Sequence, residues 1–142
     1  MQKNGRLVLE TVEGEGLRFR ATSDTNHTFV LDSGHDAEAP SPIDVLLAAL
    51  GACSGMDVIA ILRKKRQVVT GYEIELHGTR RDEHPRSFTA IEVVHRVRGR
   101  GVDRAAVEDA VRLSDTKYCS VHGTLAPGVR LSSRIEIEPD EA

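Results

Sequence analysis

At 142 residues the chain is long enough for one domain with a sizeable core, and 39% hydrophobic against 29% charged residues is an ordinary globular balance. A formal net charge of −3, with aromatics at 4%, supplies neither the field nor the stacking rings that a nucleic acid would need. The N-terminal run MQKNGRLVLETVEGEG lacks the apolar stretch of a secretory signal, and two cysteines far apart are no disulfide framework, so a cytoplasmic protein with reduced thiols is expected.

Arg6 to Asp32 reads as a β-meander, with Leu7 and Leu9 alternating against Val8 and Glu10. Gly14–Gly16 and Ser23–Asn26 supply its turns, and His27 to Leu31 continues as a strand. A polar loop over Ser33–Ala39 follows. Ser41 then stands as N-cap, Pro42 as first helical residue and Asp44 at N3, a capping-box arrangement that opens a helix to about Arg66.

From Val45 to Cys53 that helix is apolar around nearly its whole circumference, and such a helix must be enclosed on all sides. A sheet on one flank and a second subunit on the other would enclose it. Gly51 and Gly55, in small-xxx-small spacing, would admit another backbone and point to a homodimer. A membrane span is the competing reading, but Ser54 and Asp57 interrupt the apolar run and it sits at the lower limit of length, so a core helix and no membrane are expected. Arg63–Arg66 complement the negative end of the helix dipole.

Val68 to Arg80 is the next strand, with Tyr72, Ile74 and Leu76 on one face. Phe88 to Arg98 follows, with His95 on its apolar side, read as a hydrogen-bonded core or edge histidine rather than a ligand. Asp103 caps a second helix to about Tyr118, striped by Ala106, Val107, Ala110, Val111 and Leu113, and Cys119 arrives at its C-terminal end. Val129 to Glu138 closes the chain as a strand. The order βββ-α-ββ-α-β, without internal repeats, makes an α+β fold with a largely antiparallel sheet and a single domain over 1–142.

Cys53 and Cys119 are the only nucleophiles with a supporting pattern, since neither a G-x-S-x-G elbow nor a phosphate-binding glycine loop occurs. Cys119 and His122, in C-x-x-H spacing, make half of a zinc motif, with Cys53 or another histidine needed to extend it. Without the second half, no metal and no cofactor are expected. A thiol does redox chemistry as a thiolate, which needs a cation, a helix N-terminus or another proton sink nearby. Cys53 lies deep in its helix, where the dipole helps little, and Cys119 at a helix C-terminus faces the negative end and is harder to ionise. Cys53 is then the better attacker and Cys119 the better resolver; two structural thiols are the alternative.

The run APSPIDVLLAALGACSGMDV (Ala39 to Val58) resembles the first cysteine motif of the OsmC/Ohr family, and KYCSV (Lys117 to Val121) its second. ILRKKRQ (Ile61 to Gln67) and EHPRSFTAI (Glu83 to Ile91) are similar to the YhfA-type subgroup of OsmC-like proteins. The resemblance implies an intertwined homodimer with antiparallel sheets wrapped around central cysteine-bearing helices. It also implies a thiol-dependent peroxidase, acting on organic hydroperoxides or hydrogen peroxide in oxidative or osmotic stress protection. Cys53 would attack the O–O bond and become a sulfenic acid, Cys119 would resolve it as a disulfide, and a dithiol reductant would reset the pair.

Family members activate the first cysteine with an arginine from the N-terminal sheet region and a glutamate ten residues before it. Here the glutamate position holds Ile43, with Asp44 next to it, and a straight helix would place Asp44 about 13 Å from Cys53 along the axis. The loop from Ala21 to Asp32 holds no arginine; His27 stands where the cation belongs, with Arg18 and Arg20 as further candidates. Each of the three also has a reading without a role, as a turn histidine or a solvated strand arginine. The rival function, from another class, is a non-catalytic binder of an acyl chain or other hydrophobic small molecule in an apolar dimer cleft. A purely structural stress protein is the third reading.

Overall fold

The structure is a computed structural model that describes residues 1–34 and 36–140; of the polar loop expected over Ser33–Ala39, His35 lies outside them. The chain forms two compact units, Met1–Leu46 and Leu47–Ala142.

The first unit holds an antiparallel sheet of β1 (Gly5–Leu9), β2 (Phe19–Ser23) and β3 (Thr28–Leu31), in that order. Leu7 pairs with Ala21, which pairs in turn with Phe29. The β2–β3 turn closes where the Ser23 amide donates to the His27 carbonyl, with Asn26 in the left-handed region at φ 64°. Asparagine tolerates that conformation better than most residues do. Helix α1 (Pro42–Lys64) opens as expected: the Asp44 amide donates to Ser41 Oγ at 3.2 Å and the Ser41 amide to Asp44 Oδ2 at 3.1 Å, a reciprocal capping box.

The second unit carries the rest of α1, then β4 (Val68–Arg80), β5 (Phe88–Arg100), α2 (Arg104–Leu113), a π-helical turn (Ser114–Tyr118), α3 (Ser120–Leu125) and β6 (Arg130–Pro139). Helix α1 ends in a left-handed Arg66, φ 57°, with the Gln67 amide donating back to the Leu62 carbonyl. The helix is long and apolar enough to cross a membrane, but Leu50, Val58 and Leu62 are fully buried and serve as core. Burying each contributes about 1.5–3 kcal/mol. Val58 and Leu62 form one cluster with Val97 of β5 and with Ala106, Val107, Ala110 and Val111 of α2.

The strand pairing is largely antiparallel, as expected, with one exception, and the glycines of α1 have a neighbour in β4. The second sheet is mixed, since β4 and β5 are antiparallel but β5 and β6 run parallel, with α2 in the crossover between them. A parallel return needs a long connection, and the helix supplies it. The glycines of α1 serve the sheet beside them: a Cβ on Gly51 would lie 2.8 Å from Leu76 Cδ1, and one on Gly55 would lie 2.5 Å from Ile74 Cδ1. The close approach that their spacing signals is therefore made by β4 side chains. Tyr72, Ile74 and Leu76 do share the face toward α1, as the alternation requires.

The helix termini differ as well. Asp103 caps α2, its Oδ1 accepting from the Ala105 amide at 3.0 Å, but the α-helix stops at Leu113 and the π-helical turn takes its place up to Tyr118. His95 is fully buried and bonded to Tyr72, its Nδ1 lying 2.7 Å from the phenol oxygen. Burial lowers the His95 pKa and raises that of Tyr72. On a solvated part of β5, Arg96 reaches Glu75 of β4 and Glu136 of β6, both at 2.6 Å, and ties the three strands together.

Candidate active site

Helix α1 delivers Cys53 and, one turn later, Asp57, an i,i+4 pair on one face. Asp57 is the sole charged residue between Asp44 and Arg63. The π-helical turn after α2 swings the chain so that Cys119 meets this face. The Cys53 and Cys119 sulfurs and an Asp57 carboxylate oxygen all lie within 4.8 Å of one another. Both thiols are free, Cys53 half-buried and Cys119 buried.

Two hydrogen bonds fix the surroundings. Ser114, fully buried where the π-helical turn begins, donates its hydroxyl to Asp57 Oδ2 at 3.0 Å, with Ser54 Oγ at 3.5 Å. The His122 amide donates to Cys119 Sγ at 3.3 Å. Cys119 thus ends the π-helical turn as its C-cap, as expected of a helix C-terminus, and is at the same time the N-cap of α3. It is harder to ionise, as expected, but for other reasons. Burial first, then the adjacent Cys53, pushes its pKa up to about 11, while the His122 and Val121 amides pull it partly back.

The other candidates are engaged within the first unit. His27 Nδ1 lies 2.9 Å from Thr25 Oγ1, and the His27 amide donates to Ser23 Oγ. Arg18 pairs with Asp32 at 3.6 Å and Glu38 at 3.5 Å, and Arg20 with Glu10 at 2.8 Å. Asp44 is occupied in the capping box. His122, which the C-x-x-H spacing offered as a metal ligand, turns its Nε2 toward Asp115 at 4.0 Å.

Asp57 and Ser114 are the site residues that sequence reasoning missed. A signal for Asp57 existed: a lone carboxylate four residues after a cysteine, in an otherwise apolar helix, shares that cysteine's face. Ser114 carried none, because its position depends on the π-helical turn.

On another face of the same helix, α1 and β4 leave an open apolar groove of about 500 Å³ among Ala48, Ala52, Met56, Ile59, Ile74 and Leu76. Met56 is 70% exposed there.

Comparison with known proteins gives the family and the fold. The family model described as OsmC-like protein matches residues 34–134. Protein YhfA of Escherichia coli K12 is 42% identical over 123 residues, covering 87% of this chain and 92% of YhfA. A crystal structure of a hypothetical protein from Aquifex aeolicus VF5 superposes with a TM-score of 0.85 at 32% identity, over 99% of each chain. The organic hydroperoxide resistance protein OhrB of Bacillus subtilis shares the fold, with a TM-score of 0.62 at 15% identity over 96% of this chain and 98% of its own.

Proposed function

Because the chain belongs to the OsmC-like protein family, we propose that it is a thiol-dependent peroxidase in which Cys53 reduces an organic hydroperoxide or hydrogen peroxide and Cys119 resolves the product. The observation that carries this reading is the meeting of two free sulfurs from distant positions within 4.8 Å, short enough for a disulfide after a small shift.

The Cys53 thiolate attacks one peroxide oxygen, the O–O bond breaks, and the alkoxide takes a proton and leaves as alcohol. Cys53 is left as sulfenic acid. Cys119 attacks that sulfur, the sulfenic oxygen leaves as water, and a disulfide closes. A dithiol reductant then returns both thiols. Attack in this order suits the pair, because burial and the adjacent Cys53 make Cys119 harder to ionise. His27, Arg18, Arg20 and Asp44 belong to the proposal as candidates for activating Cys53.

The proposal also includes a cytoplasmic homodimer with one domain over 1–142. Leu7, Val8, Phe19 and Phe29 of the first sheet and Met56 of α1 are exposed apolar residues that a second copy would cover.

The test is intact mass and thiol count after one equivalent of cumene hydroperoxide. Wild type loses both thiols and both their hydrogens, and Cys119→Ser stops at a Cys53 sulfenic acid. Survival of both thiols in a large excess of peroxide overturns the reading. The groove along α1 favours a second reading, a binder of an acyl chain, which predicts lipid in native mass spectra and affinity unchanged by Cys53→Ser.

A further inference from the structure

We infer that Cys53, Asp57 and Cys119 of the reduced protein form a three-donor site for a thiophilic divalent cation such as Zn²⁺ or Cd²⁺, with water as fourth ligand. The sequence offered His122 for such a site and led to the expectation of no metal; the structure replaces His122 with Asp57. The three donor atoms already lie within 4.8 Å of one another. Tetrahedral zinc, with Zn–S of about 2.3 Å and Zn–O of about 2.1 Å, holds two sulfurs about 3.8 Å apart and sulfur and oxygen about 3.6 Å apart, so no donor pair needs to contract by more than about 1.2 Å.

The donor set is that of a soft, borderline cation: two thiolates and one carboxylate, with a position left open. Ligands are also held from behind, as metal sites require. Ser114 fixes the Asp57 carboxylate through Oδ2 at 3.0 Å, and the His122 amide donates to Cys119 Sγ at 3.3 Å. Cys53 and Asp57 come from successive turns of one helix, and Cys119 from a helix cap, so the donors are mounted on rigid elements.

A bound cation neutralises two thiolates and a carboxylate held beside one another. The groups that hydrogen-bond to the trio, the Ser114 hydroxyl on Asp57 and the His122 amide on Cys119, carry no formal charge. Binding releases the thiol protons, so affinity rises with pH. Disulfide formation removes two of the three donors. Peroxide oxidation of the loaded site would therefore transfer two electrons from the thiolates to the O–O bond, take up two protons to give alcohol and water, and release the cation. That release rests on the peroxidase reading; the binding does not.

The test uses Cd²⁺ alone, added to the reduced full-length protein without peroxide. The expected result is one Cd²⁺ per chain, seen by equilibrium dialysis and by the ultraviolet sulfur-to-cadmium charge-transfer band, with Zn²⁺ competing. Asp57→Asn, which keeps the side chain's shape and a Ser114 hydrogen-bond acceptor, weakens binding at least tenfold, and the diamide-oxidised disulfide form shows no band. In wild type, stoichiometric Cd²⁺ also shields both thiols from iodoacetamide, which needs no variant. The site is overturned if no band forms at micromolar Cd²⁺, if both thiols alkylate at the same rate with and without the ion, or if a folded Asp57→Asn binds as tightly as wild type. Peroxide inertness with intact Cd²⁺ binding would sink the peroxidase reading and leave this one standing.

Discussion

In the sheet β1–β2–β3, Leu7, Val8, Phe19 and Phe29 are exposed and Ala21 is the buried hydrophobic; in β4–β5–β6, Ile91, Val93, Val94 and Val97 are all buried. Both sheets are written in similar alternating apolar code. The difference is cover: Val97 lies in one cluster with α1 and α2, while Leu7, Val8, Phe19 and Phe29 of the first sheet are exposed. Alternation tells which face is apolar, and only the fold tells what, if anything, lies on it. The chemistry follows the cover, because a thiol–carboxylate trio partly shielded from water needs a packed helix to present it.

The largest expected effect tests where the chemistry resides. Cys53→Ser lowers the rate of peroxide consumption on the order of 100-fold or more, measured by coupled dithiol oxidation, while charge reversal of the exposed Arg6 in the first sheet leaves the rate within about twofold. Equal losses from both would break the comparison.

Next comes the backbone of the covered sheet. A Cβ on Gly99 would lie 2.1 Å from the Val68 carbonyl oxygen, a contact no side-chain rotation relieves, so Gly99→Ala is expected to cost about 3 kcal/mol in urea unfolding. Gly16, with open space around it, tolerates alanine with a change within about 0.5 kcal/mol.

Removing the phenol in Tyr72→Phe leaves the buried His95 without its partner and costs about 1–2 kcal/mol. The sign with pH follows from His95. Its folded pKa is lowered from 6.5, so the unfolded chain binds the proton first, and stability is lost as pH falls below about 6.5. Thermal melts between pH 5 and 8 check it, and Tyr72→Phe is compared with wild type at each pH.

The smallest effect concerns Cys119. Its folded pKa, pushed up to about 11, lies above that of a free thiol near 9, so its contribution is fully present below pH 9 and lost as pH rises toward 11. Reduced wild type should lose up to roughly 1 kcal/mol per pH unit there, a slope that Cys119→Ser abolishes.

Much of this was legible in residue order. The capping box at Ser41 and Asp44, the Asp103 cap, the extent of Val68–Arg80 and the burial of His95 follow from short-range chemistry, where side chain and backbone meet within a few positions. The two cysteine motifs also carried the family. What residue order could not decide depends on contacts across the chain. The parallel pairing of β6 is set by how α2 crosses over, and Ser114 reaches Asp57 across 57 positions. Cys119 both ends the π-helical turn and caps the helix that follows it, and its ionisation is governed by burial and by Cys53. The sequence determined which residues can cap, alternate and react; the tertiary structure decided which of them meet, since only packing brings a helix turn and a distant cap within bonding reach.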